Sequence, residues 1–296
     1  MRFTVEHFKD RVEYFEIWNE PDIREYCPKW IEPADYINLV KRTVPVIREV
    51  SPEAKIVVGA MSNTRFPDAY DYLFELLESD IMPQVDVISW HPIYGTSPEY
   101  DLYYDYYYDY PQMVQKIKDT AAANGFVGEY HADELSWRTV DQYKEDQPWV
   151  YSPIAANKYF SRAAVMHRGL DIDVGLGGSY FLTPNLCTAM AGAKPVDLSL
   201  EIQSTADNIQ SYTFSLPDKG TMVALWTDGI ALDYDPGIEA TLTIPGFSAG
   251  KAAVVDILNS LEQELITEVD GDDLHISNLL VKDYPLLIRL SDKVDK

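Results

Sequence analysis

Along the first two-thirds of the chain, short β-branched or aromatic runs alternate with longer amphipathic stretches, the pattern of βα units around a parallel sheet. Five runs read as strands: 13–18, 55–60, 85–90, 126–134 and about 172–182. Helical spacing predicts helices over 33–50, 68–80, 111–124 and 153–168. In the first of these, Tyr36, Leu39, Val40, Val44 and Ile47 recur near a 3.6-residue period, and Pro45 is expected to kink or weaken it. Near residue 195 the texture changes to short alternating runs, among them 211–216, 222–227, 240–244, 253–258, 265–269 and 286–290. Turn signals such as Asp228-Gly229, Pro245-Gly246 and Asp270-Gly271 separate them, which predicts an antiparallel β-sandwich. The Asp-Gly-Asp-Asp run at 270–273 reads as one of these turns and not as a calcium loop, because its flanking strands demand a turn.

Composition changes this picture in two ways. With 296 residues, 46% of them hydrophobic and 12% aromatic, the chain can bury one large core or two ordinary ones. A closed barrel nevertheless needs eight βα strands and about 250 residues, and an open five-stranded sheet leaves exposed edges. Residues 1–12 read as a helix running directly into a strand, so the expectation is a chain entered in mid-fold, N-terminally incomplete. Twenty-four Lys plus Arg face 48 Asp plus Glu, and the net charge of −24 argues against nucleic acid and anionic lipid as partners. Cys27 and Cys187 permit one optional bridge and exclude a dense disulfide framework or a four-cysteine zinc site. No run of about 18 apolar residues predicts a membrane span, and residues 1–20 lack the basic start and apolar stretch of a signal peptide. Nothing in the pattern specifies an oligomeric state.

Candidate chemistry lies at three strand ends. Residues 14–22, Tyr-Phe-Glu-Ile-Trp-Asn-Glu-Pro-Asp, place Glu20 directly after an apolar strand and before a proline that ends it. Glu16 shares its side-chain parity but sits about 13 Å deeper at strand rise, a position suited to an ion pair. Residues 128–137 supply a second carboxylate, Glu134, with Asp133, Glu129 and His131 as rivals; a local bulge would exchange the faces of Asp133 and Glu134. Ser89-Trp90-His91-Pro92-Ile93-Tyr94 ends the strand between them. The bland readings are a Glu20 that caps a loop and a His91 that is simply packed and satisfied. Residues 94–110 interleave eight tyrosines with Asp101, Asp105 and Asp109, and read as a long loop whose rings stack on ligand or on each other. Trp137 and Trp149 are further stacking candidates. The five histidines show no HExxH spacing, and no Gly-x-Ser-x-Gly elbow or phosphate-binding glycine loop is present, so neither metal nor cofactor is expected.

The motif Trp18-Asn19-Glu20-Pro21 resembles the fourth-strand signature of the clan A glycoside hydrolases, which are (β/α)8 enzymes. The resemblance implies Glu20 as general acid/base and Asn19 as the contact to a sugar 2-hydroxyl. If Glu20 ends strand four, strands five and six are 55–60 and 85–90, and strand seven carries the nucleophile Glu134, followed by the aromatic Trp137. At the end of strand six, His91 and Tyr94 take the positions that orient the nucleophile and contact sugar. Val223-Ala224-Leu225-Trp226 and Asp283-Tyr284-Pro285-Leu286 resemble the accessory β-domain of the family containing β-xylosidases and α-iduronidases. The expected fold is therefore α/β, a partial (β/α)8 barrel from strand four to strand eight over 1–195, followed by an all-β sandwich over 196–296. The expected function is retaining hydrolysis of an oligo- or polysaccharide or other glycoside. An inactive fragment or a non-catalytic carbohydrate-binding protein is the alternative, and a metal-dependent barrel hydrolase is a third.

Overall fold

The computed structural model describes residues 1–23, 30–62, 70–92, 96–139, 150–175, 182–218, 220–247 and 251–291. It divides into two compact units. The first comprises Met1–Thr96, Asp101–Leu135 and Ile172–Gly175; the second comprises Ser97–Tyr100, Ser136–Asp171 and Leu176–Lys296.

The first unit runs α1 (Arg2–Phe8), β1 (Tyr14–Glu16), α2 (Pro33–Val50), β2 (Lys55–Met61), α3 (Asp71–Leu77), β3 (Val87–Trp90), α4 (Asp101–Ala123) and β4 (Glu129–Ala132). After β5 (Arg138–Thr139), β6 (Val150–Tyr151) and α5 (Pro153–Gly169), which belong to the second unit, β7 (Asp173–Val174) returns to the first. The sheet order is β1-β2-β3-β4-β7, and every pairing is parallel. Strands thus lie side by side in chain order, as successive βα units require. All five expected strands are present and most are shorter than the sequence suggests; the expected run at 176–181 lies outside the described residues.

Register divides the sheet into two unlike faces. Tyr14 pairs with Lys55, Val87 with Glu129, Ser89 with His131, and His131 with Asp173, so one face is largely polar. The other face presents Phe15, Ile17, Ile56, Val58, Ile88 and Trp90, all buried. Helix α2 buries Tyr36, Val40, Val44 and Ile47. Pro33 opens α2, Asp35 stands in its first turn and Arg48 in its last, each favourable to the helix dipole. Helix α2 continues through Pro45, whose neighbours Val44 and Ile47 are buried.

Helix α4 corrects a larger expectation. It begins at Asp101 and not at 111, so most of the tyrosine run is helix and not a loop. Tyr106 and Tyr110, four residues apart, fall on one helix face and are buried. The Tyr106 hydroxyl meets that of Tyr70 at 2.9 Å, and Trp90 Nε1 donates to the Tyr110 hydroxyl at 3.0 Å. Tyr104 and Tyr108 pair edge-on at 4.9 Å and remain exposed. Burial of one aromatic face accompanies the extension of the helix ten residues ahead of its expected start at Pro111.

The second unit continues with α6 (Leu182–Met190), β8 (Lys194–Pro195), β9 (Glu201–Ser204), β10 (Ile209–Ser215), β11 (Thr221–Thr227), β12 (Ile238–Ile244), β13 (Lys251–Asp256), β14 (Leu261–Leu265), β15 (Thr267–Asp270), β16 (Asp273–Val281) and β17 (Leu286–Ser291). These form a six-stranded sheet, β14-β13-β17-β11-β10-β8, and a four-stranded one, β15-β16-β12-β9. Val223, Leu225 and Ile288 from the first share one apolar core with Leu242, Ile244 and Ile276 from the second. The expected strand at 265–269 is in fact the end of one strand and the start of another, parted at the exposed Ile266. The turn expected at 270–273 closes the β15–β16 hairpin, with Gly271 at φ +63°.

The compact units do not divide at residue 195. Helix α5 contributes buried Lys158 and Arg162, and both grip the segment before β17. Lys158 Nζ lies 2.6 Å from Asp283 Oδ1, and Arg162 Nε donates to the Asp283 carbonyl at 2.8 Å. These buried polar anchors bind a helix that precedes 195 into the unit holding both antiparallel sheets.

Candidate active site

Where β1 and β2 end, the backbone turns left-handed at four positions: Trp18 at φ +73°, Glu20 at +50°, Gly59 at +122° and Ala60 at +46°. The β2–β3 register slips between Val58 and Met61, so Ala60 lies in a bulge. A side chain at Gly59 would place its Cβ 2.1 Å from the Ser89 carbonyl oxygen, so only glycine fits there. The Glu20 amide donates to the Ala60 carbonyl at 3.0 Å, locking one strained strand end to the other. Strain of this kind persists only where neighbours over-determine it. Here the Tyr36 hydroxyl does so, donating to the Ile17 carbonyl at 2.7 Å and accepting from the Gly59 amide at 3.1 Å. Asp22 adds a third tie by accepting the Ser62 amide at 2.9 Å; burial raises its carboxyl above the usual range.

Glu20, held this way, points at His91, with Oε1 3.1 Å from Nδ1. His91 follows β3, is 1% exposed, and donates its backbone amide to the Met61 carbonyl at 2.9 Å. Two residues after β4, Glu134 brings Oε2 to 3.7 Å from the same Nδ1, while Asp133 Oδ1 lies 3.6 Å from Nε2. One oxygen of Glu20, one of Glu134 and a nitrogen of His91 lie within 4.8 Å of one another. Three strand ends thus converge on one imidazole, flanked by two partly exposed carboxylates: the Glu20 side chain is 27% exposed and that of Glu134 51%.

Of the residues expected at the site, Glu20, Glu134 and His91 are brought together. Asn19 is exposed on the turn beside Glu20. Tyr94 and Trp149 lie outside the described residues. Trp137 belongs to the second unit, where it is 6% exposed with its ring stacked on Tyr159 at 6.2 Å, and so offers little free face to a sugar. Asp133, expected as a rival, stands with Oδ1 3.6 Å from His91 Nε2, and Glu16, expected as an ion-pair residue, lies near enough for its charge to act on the Asp133 carboxyl. Glu16 also accepts the Ser89 hydroxyl at 2.6 Å. Burial first, and the neighbouring Glu16 charge second, push Asp133 up to about 8. No spacing in the sequence joins residues 16, 89 and 133; only sheet register does.

Lower on the same face, Glu129 accepts the Tyr14 hydroxyl at 3.0 Å and lies 3.6 Å from both Lys55 Nζ and His131 Nε2; Asp173 is 3.8 Å from that His131 nitrogen. Lys55 supplies the counter-charge, and we read this group as structural packing of the sheet's polar face and assign no metal to it.

Five parallel strands in chain order bring two carboxylates and an imidazole together at their C-terminal ends, and the chain belongs to the clan A glycoside hydrolases. More narrowly, residues 2–156 match the family model of glycosyl hydrolases family 39, and the chain belongs to that family. No curated protein matches the sequence. Among solved structures it is similar to a family 39 glycoside hydrolase from Bacteroides cellulosilyticus WH2, with TM-score 0.62 and 14% identity over 98% of this chain. It is also similar to a family 44 endoglucanase from Clostridium acetobutylium ATCC 824, at 0.66, 10% and 98%. A third likeness is to AbfB, a family 51 α-L-arabinofuranosidase from Bifidobacterium longum, at 0.61, 12% and 93%. The chain spans 60%, 70% and 66% of the length of these three proteins.

Proposed function

We propose that the protein is a retaining O-glycoside hydrolase, with Glu20 as general acid/base and Glu134 as nucleophile. The observation that carries this reading is the approach of the two carboxylates to within 4.8 Å across His91. Retaining enzymes separate their carboxyls by about 5–5.5 Å, whereas inverting ones leave about 6.5–9.5 Å for a water. In the first step, a Glu134 oxygen bonds to the anomeric carbon as the bond to the leaving oxygen breaks, and Glu20 gives that oxygen its proton. In the second step, Glu20 takes a proton from water, whose oxygen displaces Glu134. Asn19 is placed to meet the sugar beside the bond being cleaved.

The five parallel strands are then strands four to eight of a (β/α)8 barrel within 1–195, and the two antiparallel sheets form a β-sandwich over 196–296. Chain-order pairing and similarity to clan A enzymes support the first assignment; the core shared by the two sheets supports the second. Oligo- or polysaccharides and simpler glycosides are the substrate class.

The test is turnover of a panel of aryl glycosides by the wild type, Glu20→Ala and Glu134→Gly, with and without azide. Glu134→Gly should lose at least about 10³-fold in kcat and regain turnover with azide as a glycosyl azide of inverted configuration. Glu20→Ala should slow most on substrates with poor leaving groups, and azide should rescue it with retained configuration. EDTA should leave wild-type turnover unchanged. Turnover indifferent to both substitutions would sink the assignment, and a wild type that binds sugar without turnover would favour a carbohydrate-binding role.

A further inference from the structure

Residues 228–237 connect β11 to β12 and are fastened along their length to their own unit. Buried side chains of α5 supply three of the ties. Arg162 donates to the Gly229 carbonyl at 2.5 Å, the Tyr159 hydroxyl accepts the Ala231 amide at 2.9 Å, and Lys158 Nζ donates to the Leu232 carbonyl at 2.5 Å. Asp283 accepts the Leu232 amide at 2.8 Å, and Asp235 in turn accepts the Asp283 amide at 2.8 Å. Ser152, the cap of α5, donates to Asp233. A polar network satisfied in this way rigidifies the backbone that it holds.

What the fastened loop presents is apolar. Ala231 is buried, and Asp233 and Asp235 are engaged by Ser152 and by the Asp283 amide. Between these anchors Ile230 and Leu232 stand half-exposed and Tyr234 is 82% exposed. Single exposed hydrophobics are ordinary, but here three of them alternate with anchored neighbours on a fixed backbone.

We propose that Ile230, Leu232 and Tyr234 form a binding platform for a neutral polysaccharide chain, one that shares no residue with the cluster of Glu20, His91 and Glu134. Size and charge narrow the occupant. A stable protein interface takes about 800 Å² from each partner, far more than three side chains supply. The chain's charge of −24, and the carboxylates of Asp233 and Asp235 interleaved with the row, disfavour nucleic acid, anionic lipid and uronate polymers. A pyranose answers what remains. One face of its ring carries C–H groups that can lie on the Tyr234 ring and against the aliphatic Ile230 and Leu232, and its hydroxyls can donate to the exposed Asp233 carboxylate. A tyrosine offers this area with few torsions to order, and the pinned backbone has little freedom left to lose, so preorganisation offsets the small contact. Membership of a glycoside hydrolase family supplies the ligand class, and the platform does not depend on which carboxylates cleave.

The test is affinity electrophoresis of the whole chain in native gels containing arabinoxylan, mixed-linkage β-glucan or polygalacturonate, with wild type, Tyr234→Ala, Tyr234→Phe and Leu232→Ser. Wild type should be retarded by at least one of the two neutral polymers and not by polygalacturonate. Tyr234→Ala should raise the dissociation constant about tenfold, whereas Tyr234→Phe, which keeps the ring, should stay within about twofold of wild type. Because the Tyr234 side chain stands in water, the urea midpoint and kcat/KM on aryl glycosides should be unchanged in both. Retardation that survives intact in Tyr234→Ala and in Leu232→Ser would place polymer binding elsewhere and overturn the proposal, as would a wild type that neither neutral polymer retards. A dimer seen in sedimentation velocity and dissolved by Tyr234→Ala would assign the row to a second copy and equally overturn it. Glu134→Gly should lose turnover and keep its retardation, so failure of the glycosidase reading and failure of the platform are read in different variants.

Discussion

At the residue scale, the strand ends that carry Glu20 and Ala60 depend on a hydroxyl that touches neither carboxylate. Tyr36 is fully buried, and its oxygen serves the Ile17 carbonyl and the Gly59 amide together. Tyr36→Phe leaves both backbone groups unsatisfied, at a cost of about 1–3 kcal/mol, which urea denaturation should register as a lower midpoint with unchanged slope. Because those groups flank the left-handed turn that aims Glu20, kcat should fall more than KM rises. Asp133 makes a second residue-scale prediction, in stability. Its folded carboxyl is raised to about 8, well above an unfolded aspartate near 3.9, so the native state binds the extra proton between those values. That contribution is present at about pH 4 and lost as pH rises towards 8, with a slope of up to about 1.4 kcal/mol per pH unit; Asp133→Asn should remove this part of the pH dependence from denaturation midpoints. The meeting of Glu20, His91 and Glu134 at neighbouring strand ends was legible in the sequence, Glu20 from a four-residue motif that ends its strand and Glu134 from the strand count. The approach of Asp133 to His91 was not, since residues 42 positions apart are brought together by strand pairing.

At the scale of elements, α5 shows what periodicity reveals and what it leaves out. The helix was expected over 153–168 and occupies Pro153–Gly169, with Ser152 capping it by accepting the Ala155 amide at 3.0 Å. Its partner was invisible, because the pattern of apolar residues marks a buried face without naming what covers it. The covering is ionic as well as apolar: Lys158 is 3% exposed and Asp283 5%, and Asp283 Oδ2 also accepts the Leu232 amide at 2.8 Å. Removing one member of a buried pair strands the other's charge. Lys158→Met should therefore destabilise by about 3–5 kcal/mol in chemical denaturation, and Lys158→Met with Asp283→Asn should recover part of that loss. The tyrosine run of α4 was misjudged for a related reason. The interleaved tyrosines and aspartates read as a loop of stacking rings, while the helix buries Tyr106 and Tyr110 on one face, a tertiary effect.

At the scale of the whole molecule, charge restricts which glycosides can be good substrates. The chain carries −24, and the polar face around the two carboxylates bears Glu16, Glu129 and Asp173 against the single ammonium of Lys55 among its described residues. A neutral glycoside meets this field at no cost, whereas a uronic-acid glycoside brings a like charge toward Glu134, which the proposed mechanism requires to be anionic. Salt screens the approach over a Debye length of about 10 Å at 0.1 M, but it screens the contact inside a cleft much less. Turnover of a neutral aryl glycoside such as a xyloside should therefore stay level between about 0.02 and 0.3 M salt. The matching uronide should show a lower kcat/KM that rises with salt and still falls short of the neutral substrate, because the like charge persists at the site itself. Steady-state rates for the pair at a series of ionic strengths decide the point. A uronide cleaved as well as the neutral glycoside, with no response to salt, would show that cations outside the described residues offset the acidic face, and that net charge does not select the substrate.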